Sequence, residues 1–311
     1  MRWAIAVFAL IFLTGTAAAK DAVIVPGKVY TWDSRKNGAQ KTYRAETLTL
    51  HFQAQASGSE DDATKAVLTI TEAGGPTLRY RFESGFETPS VQFFVGRLDP
   101  ANPHWNVVLA RYSGGAHCCL EKDVFIQWQG AWRRHEIDSG TETGEIEYPK
   151  DVDGDGVPDF VLFDDRFAYR FGCFACSWMP PQIFYLQGNR VIDGTASGKY
   201  TKLLEADLAK AKNICTGNDP LNGLCAGVAA DGARLHRFKD NWRWLVQHYP
   251  RQDDWAFPDG CAIDISDGTD CPADQVLKFK NFPQSLAWFL RRTGYISRAE
   301  EAWATAQADQ P

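Results

Sequence analysis

The sequence has no excess of basic residues. Its 33 lysines and arginines are outnumbered by 39 aspartates and glutamates, which gives a formal net charge of −6 at pH 7. Proteins that bind nucleic acids through phosphate contacts depend on a concentrated basic surface. The charge balance therefore excludes nucleic acid from the expected partners.

Long apolar segments are also missing. The apolar run at residues 4–13 is shorter than the about 20 residues that span a bilayer as a helix, and no later run is long enough. Arg2 precedes this run and three alanines at 17–19 follow it, so residues 1–19 are typical of a secretory signal peptide. We predict a mature chain of residues 20–311 that is periplasmic or secreted and has no membrane span.

The short motifs of common enzymes are absent as well. The sequence contains no Gly-x-Ser-x-Gly elbow, no His-Glu-x-x-His motif and no glycine-rich phosphate loop. The remaining candidates for chemistry are Ser113, His117, Cys118, Cys119, Asp164 and Asp165. A tight turn, disulfide bonds and a solvated loop explain them more simply, so we assign no catalytic residue.

What the sequence does contain is apolar material for a folded core. Hydrophobic residues make up 44% of the chain and aromatic residues 13%, which excludes a disordered chain. The predicted strands cover residues 47–52, 66–70, 78–82, 91–95, 124–128 and 183–186. Strands that follow one another so closely, with turn residues between them, indicate antiparallel sheets.

After residue 200 the pattern becomes helical. The predicted helices cover residues 203–211 and 238–249, and two more begin at residues 282 and 297. Ser297 and Glu300 have the spacing of a capping box at the start of the last helix. We therefore predict a mainly β domain at residues 20–198, followed by a smaller, disulfide-stapled α-helical region at residues 199–311.

A faint internal repeat lies within the β region. Residues 106–109 align with 159–162 at an offset of 53, and the aromatic strands at 124–128 and 183–186 align at an offset of 59. A four-stranded propeller blade has about this length. Two degenerate blade-like units are one explanation, and a chance likeness between β-rich segments is the other.

The eight cysteines form four pairs along the chain. These pairs are Cys118 with Cys119, Cys173 with Cys176, Cys215 with Cys225 and Cys261 with Cys271. An even count in an exported chain favours disulfides, and we expect the last two pairs to close short loops. A bond between neighbouring cysteines would strain the peptide between them, so we expect the first two pairs to crosslink to each other. The alternative is a zinc site that uses these four thiols with His117.

The strongest signal is the Asp-rich segment at residues 151–159. Aspartates occupy its positions 1, 3, 5 and 9, and Gly154 and Gly156 allow the chain to wrap around a cation. The spacing predicts a Ca²⁺ site whose ligands are Asp151, Asp153, Asp155, Asp159 and the carbonyl oxygen of Val157. An EF-hand would have glutamate at position 12, where this sequence has Leu162. The alternative is an Asp-Gly turn that binds no ion.

This loop and the apolar strand after it resemble the calcium loop of FG-GAP (VCBS-type) repeats, which are blades of β-propellers. The resemblance implies the same five calcium ligands and a blade-like setting for the loop. Residues 112–119 are similar to a segment of uncharacterised exported bacterial proteins, and this second resemblance implies no activity.

A cluster of aromatic residues adds a second candidate surface. Its members are Phe238, Trp242, Trp244, Tyr249 and Trp255. Trp242, Leu245 and Tyr249 have the spacing of one helix face, which indicates a face buried in a core, and the alternative is that the aromatic cluster is a platform for sugars or peptides. We expect an exported, calcium-stabilised binding or scaffold protein of the cell envelope without catalytic activity, whose partner is an envelope protein or glycan. The alternative function is an envelope hydrolase that acts on glycan, ester or peptide substrates.

Overall fold

The computed structural model describes residues 21–55, 64–84, 89–112, 120–137, 146–251, 255–265 and 270–308. The predicted signal peptide lies outside the described residues, as do His117, Cys118 and Cys119.

Strands fill the first two thirds of the described chain. In chain order they are β1 (Ala22–Val23), β2 (Tyr30–Asp33), β3 (Gln40–Ala45), β4 (Leu48–Ala54), β5 (Thr64–Glu72), β6 (Thr77–Ser84), β7 (Ser90–Gly96), β8 (Asn106–Tyr112), β9 (Leu120–Trp128), β10 (Ala131–Ile137), β11 (Asp159–Phe163), β12 (Pro181–Gln187), β13 (Arg190–Asp193), β14 (Gly260–Cys261) and β15 (Val276–Leu277). The helices are α1 (Ser34–Asn37), α2 (Thr201–Cys215), α3 (Asn222–Arg234), α4 (Phe238–His248), α5 (Phe282–Arg292) and α6 (Arg298–Ala308). The predicted fold class, mainly antiparallel β followed by a smaller disulfide-stapled helical region, is confirmed.

The strands form three main sheets. Sheet A has the order β1-β3-β4-β5-β6, sheet B the order β10-β9-β8-β7-β2, and sheet C the order β11-β12-β13. Neighbouring strands in these sheets are antiparallel except β1 and β3, which are parallel. The short strands β14 and β15 pair within the helical region.

Sheet B is the middle layer and is buried on both faces. Phe93 lies in the core shared with sheet A, together with Trp32 and Phe52, while its neighbour Phe94 lies in the core shared with sheet C, together with Phe160. Successive residues of a strand point to opposite faces, so a strand between two cores must be apolar on both sides. This explains why the middle strands read as continuous apolar runs.

The helical region has a core of its own. Trp242, Leu286 and Phe289 lie in it, and Phe167 and Phe171 from the segment after β11 join them. The indole of Trp242 is fully buried and donates a hydrogen bond to the carbonyl of Ala304 at 3.1 Å. The interpretation of the aromatic cluster as a core face is therefore correct for Trp242. None of the described helices is both long and apolar enough to cross a membrane.

Helix α3 was not among the predicted helices, because its three glycines reduce helix propensity. Contacts with other segments require all three glycines, of which Gly232 faces the side chain of Asn241 in α4. A Cβ atom at Gly223 would lie 2.3 Å from the carbonyl oxygen of Cys176, and one at Gly227 would lie 2.0 Å from the indole of Trp178. Gly223 and Gly227 therefore allow the segment that contains Cys176 and Trp178 to pack directly on the helix backbone.

The predicted start of α6 is confirmed. The main-chain N–H of Ser297 donates to Glu300 Oε2 at 2.8 Å, and the N–H of Glu300 donates to Ser297 Oγ at 3.3 Å. These two bonds are those of a capping box.

Three disulfides lie among the described residues. Cys215–Cys225 and Cys261–Cys271 form as predicted. Cys173 and Cys176 are bonded to each other, so the expected crosslinks from this pair to Cys118 and Cys119 are wrong. A turn of 3-10 helix at Phe174–Cys176 brings the two Cα atoms to 4.8 Å, within the range that a disulfide spans. This bond also leaves no thiolate at positions 173 and 176 for a zinc ion.

Candidate metal centre

The Asp-rich loop begins and ends at one point of the fold. Lys150 and Asp159 form a β-bridge, in which the N–H of Asp159 donates to the carbonyl of Lys150 at 2.8 Å and the reverse bond is 3.3 Å. Gly154 and Gly156 have φ angles of 83° and 88°, which favour glycine over residues with a Cβ atom. The chain thus folds back on itself between the two ends, as the sequence predicts.

Three of the predicted ligands come together. Carboxylate oxygens of Asp151, Asp153 and Asp159 all lie within 4.8 Å of one another. Asp155 is not part of this group, and its carboxylate contacts Lys199. Val157 is half-buried, and its N–H donates to Asp155 Oδ1 at 2.9 Å.

The Asp151 carboxylate organises the loop. It accepts hydrogen bonds from the main-chain N–H groups of Gly154, Asp155 and Gly156 at 2.8, 3.1 and 3.0 Å. The N–H of Asp155 is shared with Asp153 Oδ1 at 3.0 Å. The turn that brings the carboxylates together is therefore built from the side chains of the same aspartates.

Asp159 is the buried member of the group, with 3% of its surface exposed. Its Oδ2 accepts a hydrogen bond from the N–H of Val152 at 2.8 Å, and its Oδ1 accepts one from the hydroxyl of Tyr200 at 2.6 Å. Burial raises the pKa of Asp159, although both hydrogen bonds favour its charged form. Burial and the bond to Asp159 also raise the pKa of Tyr200, so the phenol is the donor.

Lys199 is a cation already placed at the loop. Its ammonium nitrogen lies 3.4 Å from Asp153 Oδ2 and 2.5 Å from Asp155 Oδ2. The hydrogen bond from Lys199 lowers the pKa of Asp155, and the same bond raises the pKa of the lysine. The sequence alone does not indicate Lys199 or Tyr200, because both are more than forty positions from their partners and belong to no recognisable motif.

The donor set fits a hard cation. All side-chain ligands in the group are carboxylate oxygens, which Ca²⁺ prefers, and the Lys199 ammonium demonstrates that the site attracts positive charge. Leu162, at the position where an EF-hand has its glutamate, lies in the core between sheets B and C. The site thus uses residues from the loop itself and does not extend into β11 beyond Asp159.

A second feature is a cleft of about 880 Å³ between β11 and α2. Asp207 of α2 lines it and accepts a hydrogen bond from the indole N–H of Trp178 at 3.0 Å. Behind Asp207 lies the fully buried Asp231 of α3, whose two carboxylate oxygens accept no hydrogen bond from the described residues. Burial raises the pKa of both groups. Burial and the nearby charge of Asp207 both raise the pKa of Asp231, so they favour its protonated form.

Comparison with known protein families finds a match in the helical region. Residues 204–294 match the family model described as the sll0997 C-terminal domain. Over 247 residues the chain is 28% identical to a protein of Synechocystis sp. described as a probable thylakoid lumen protein, sll0997, and the match covers 74% of this chain and 71% of that protein.

A second relative comes from Sinorhizobium fredii and is described as the uncharacterised protein y4bJ. It is 23% identical over 295 residues, which cover 92% of this chain but 45% of that protein, so this chain spans less than half of its length. No solved structure matches the chain significantly. The matching family model begins after the Asp-rich loop and so does not include it.

Proposed function

We propose that this protein is an exported, calcium-stabilised binding or scaffold protein of the cell envelope and that it has no catalytic activity. The observation that carries the proposal is the convergence of Asp151, Asp153 and Asp159 within 4.8 Å. These three carboxylates would hold a Ca²⁺ ion, in keeping with the resemblance of the loop to FG-GAP calcium loops. The ion supplies positive charge to oxygen ligands and no redox chemistry.

The position of the loop gives such an ion a structural role. Asp159 ends the loop at the first residue of β11, and its carboxylate is bonded to Tyr200, the residue before α2. Lys199 adds a second link from the same segment. An ion bound by the aspartates would therefore fix the position of sheet C relative to α2.

Export is supported by two independent features. Disulfides are typical of proteins outside the reducing cytosol, and the six described cysteines all form them. The Synechocystis relative is described as a probable thylakoid lumen protein, which favours a compartment outside the cytoplasm for this chain too. An envelope protein or glycan is the corresponding partner.

Thermal unfolding with and without the ion tests the calcium proposal. An ion that binds only the folded state stabilises it by about 2.7 kcal/mol when its free concentration is a hundred times Kd. We expect Ca²⁺ to raise the melting temperature of the exported protein and EDTA to lower it.

Two variants make this test specific. Asp153→Asn should lose the calcium response, whereas Asp219→Asn should keep it, because Asp219 is an exposed aspartate outside the loop. A wild-type melting temperature that is the same in Ca²⁺ and EDTA would refute the proposal.

One observation favours the alternative, an envelope hydrolase. Asp207 lines the cleft and burial raises its pKa, and a carboxyl group with a raised pKa is a suitable general acid. The discriminating experiment is a screen against glycan, ester and peptide substrates with Ca²⁺ present. Turnover that Asp207→Asn abolishes, while the melting temperature stays unchanged, would establish the hydrolase and exclude the non-catalytic protein.

A further inference from the structure

Sheets B and C contain two three-stranded units in the same register. Strands β8, β9 and β10 form the first unit, and β11, β12 and β13 form the second. The matched pairs are Asn106–Ile126 with Asp159–Tyr185, Val107–Phe125 with Phe160–Phe184, and Trp128–Ala131 with Gln187–Arg190. The first strand keeps the offset of 53 and the other two keep the offset of 59 that the sequence repeat predicts. The repeat is therefore a structural duplication and not a chance likeness.

The two units also face the same way. Val107 and Leu109 point into the core between sheets A and B. Their counterparts Phe160 and Leu162 point into the core between sheets B and C. In both units, the same face of the first strand therefore packs against the sheet that precedes it in the chain. Consecutive copies of a stacked repeat have this arrangement.

The duplication extends into the loops that precede β8 and β11. Each loop is closed by the side chain of its last residue, because Asn106 accepts from the N–H of Leu98 at 2.9 Å and Asp159 accepts from that of Val152 at 2.8 Å. Two side-chain turns also match. The N–H groups of Ala101 and Asp155 donate to Asp99 and Asp153, and those of His104 and Val157 donate to Asn102 and Asp155. The first loop is one residue longer, between Asp99 and Asn102.

The charges of the two loops differ in a systematic way. The aspartates of the second loop at 151, 153, 155 and 159 correspond to Arg97, Asp99, Asn102 and Asn106 in the first loop. Four carboxylates are thus replaced by one carboxylate, two amides and a guanidinium. The first loop has no excess negative charge and needs no counter-ion.

Arg97 makes a second connection across the first loop. Its guanidinium donates to the carbonyl of Pro103 at 2.6 Å and lies 4.6 Å from the ring centre of Trp105. Pro103 corresponds to Gly156, whose N–H is held by Asp151 in the other loop. Proline has no N–H. At this position the first loop therefore has no N–H group that would need an aspartate at position 97 as its acceptor.

We infer that residues 97–106 form a second copy of the Asp-rich loop in which the guanidinium of Arg97 takes the place of an ion. The first loop is held by a resident cation at every calcium concentration, and only the second is open to a metal. This duplication rests on register and hydrogen bonds and does not depend on the proposed calcium function.

The test compares the melting temperatures of Arg97→Ala and Arg97→Lys in Ca²⁺ and in EDTA. Arg97 is exposed, so its contribution is modest, and we expect Arg97→Ala to lower the melting temperature by about 2–4 °C. The loss should be equal with and without Ca²⁺. Arg97→Lys keeps the positive charge and a donor nitrogen. Its melting temperature should fall by no more than half as much as that of Arg97→Ala.

Arg79→Ala is the matched control, since Arg79 is an exposed arginine of β6 that forms no ion pair among the described residues. An Arg97→Ala variant no less stable than this control would overturn the inference, and so would a loss that Ca²⁺ reverses, because the loop would then bind an ion itself. If Ca²⁺ does not change the melting temperature of wild type, the proposed calcium function is refuted. The comparison of Arg97→Ala with Arg79→Ala would still test this inference.

Discussion

The hydroxyl of Tyr200 donates a 2.6 Å hydrogen bond to the Asp159 carboxylate, across 41 positions of sequence. Both residues are buried. The bond connects Asp159, the last predicted ligand in the Asp-rich loop, to the residue before α2. It is therefore a direct link between the strand region and the helical region.

Removal of this hydroxyl should destabilise the protein. Tyr200→Phe leaves the buried Asp159 with a single donor, and a hydrogen bond to a charged group contributes about 1.5–3 kcal/mol. We expect a decrease of that size in the free energy of unfolding, measured by urea denaturation in EDTA. Tyr169→Phe, which alters a half-exposed ring, should have no effect. Equal stability of the two variants would contradict the assigned role of Tyr200.

Lys199 should compete with a metal ion for the loop. In EDTA, Lys199→Met removes the counter-ion of Asp153 and Asp155 and should lower the melting temperature. In titration calorimetry the same variant should bind Ca²⁺ about fivefold more tightly, since the ion no longer competes with the ammonium group for the carboxylates. Lys202→Met, on the exposed side of α2, is the control. Weaker calcium binding by the Lys199 variant would show that the lysine supports the site.

The buried pair of Asp207 and Asp231 should make stability depend on pH. Burial raises the pKa of Asp231 well above its usual range, so the folded state keeps a proton that the unfolded chain releases above about pH 4. The associated stability is complete below that pH and is lost as the pH rises through the raised pKa.

Asp231→Asn should remove this pH dependence, because asparagine has nearly the shape of aspartate and does not titrate. We expect its melting temperature to exceed that of wild type by about 2 °C or more at neutral pH and to match it near pH 4. Thermal scans of both proteins across this range provide the measurement. An Asp231→Asn variant that is less stable at neutral pH would mean that the charged form is the native one.

The Cys215–Cys225 disulfide should matter more than Cys261–Cys271. Both close loops with a sequence separation of 10, so loop entropy predicts a similar contribution of about 2–3 kcal/mol for each. Cys215 and Cys225 are fully buried, whereas Cys271 is half-buried, so paired serine substitutions at 215 and 225 also bury hydroxyl groups. We expect the larger fall in melting temperature for that double variant, and equal falls would show that loop closure alone decides.

Local patterns predicted the elements whose causes are local. The capping box at Ser297 and Glu300 joins residues three positions apart, and the glycines at 154 and 156 serve the loop that contains them. The offsets of the internal repeat, 53 and 59, also relate the paired residues of the two three-stranded units, because strand pairing preserves register.

Other features depend on distant partners and could not be predicted. Helix α3 owes two of its three glycines to the backbone and indole that pack on it from Cys176 and Trp178. The Cys173–Cys176 bond required knowledge of the short 3-10 turn between the two residues. Tyr200 and Lys199 reach the loop only because α2 begins beside it, a placement that no spacing in the sequence encodes.

The hydrogen bonds to the Asp151 carboxylate have a consequence for the rate at which the loop would bind an ion. Three main-chain N–H groups already hold this carboxylate in position, and the β-bridge at Lys150 and Asp159 fixes both ends of the loop. An arriving cation thus meets a folded turn, so little chain entropy is lost on association. The association rate should then be governed by loss of water from the ion and departure of the Lys199 ammonium, while the dissociation rate sets how long the loop stays occupied.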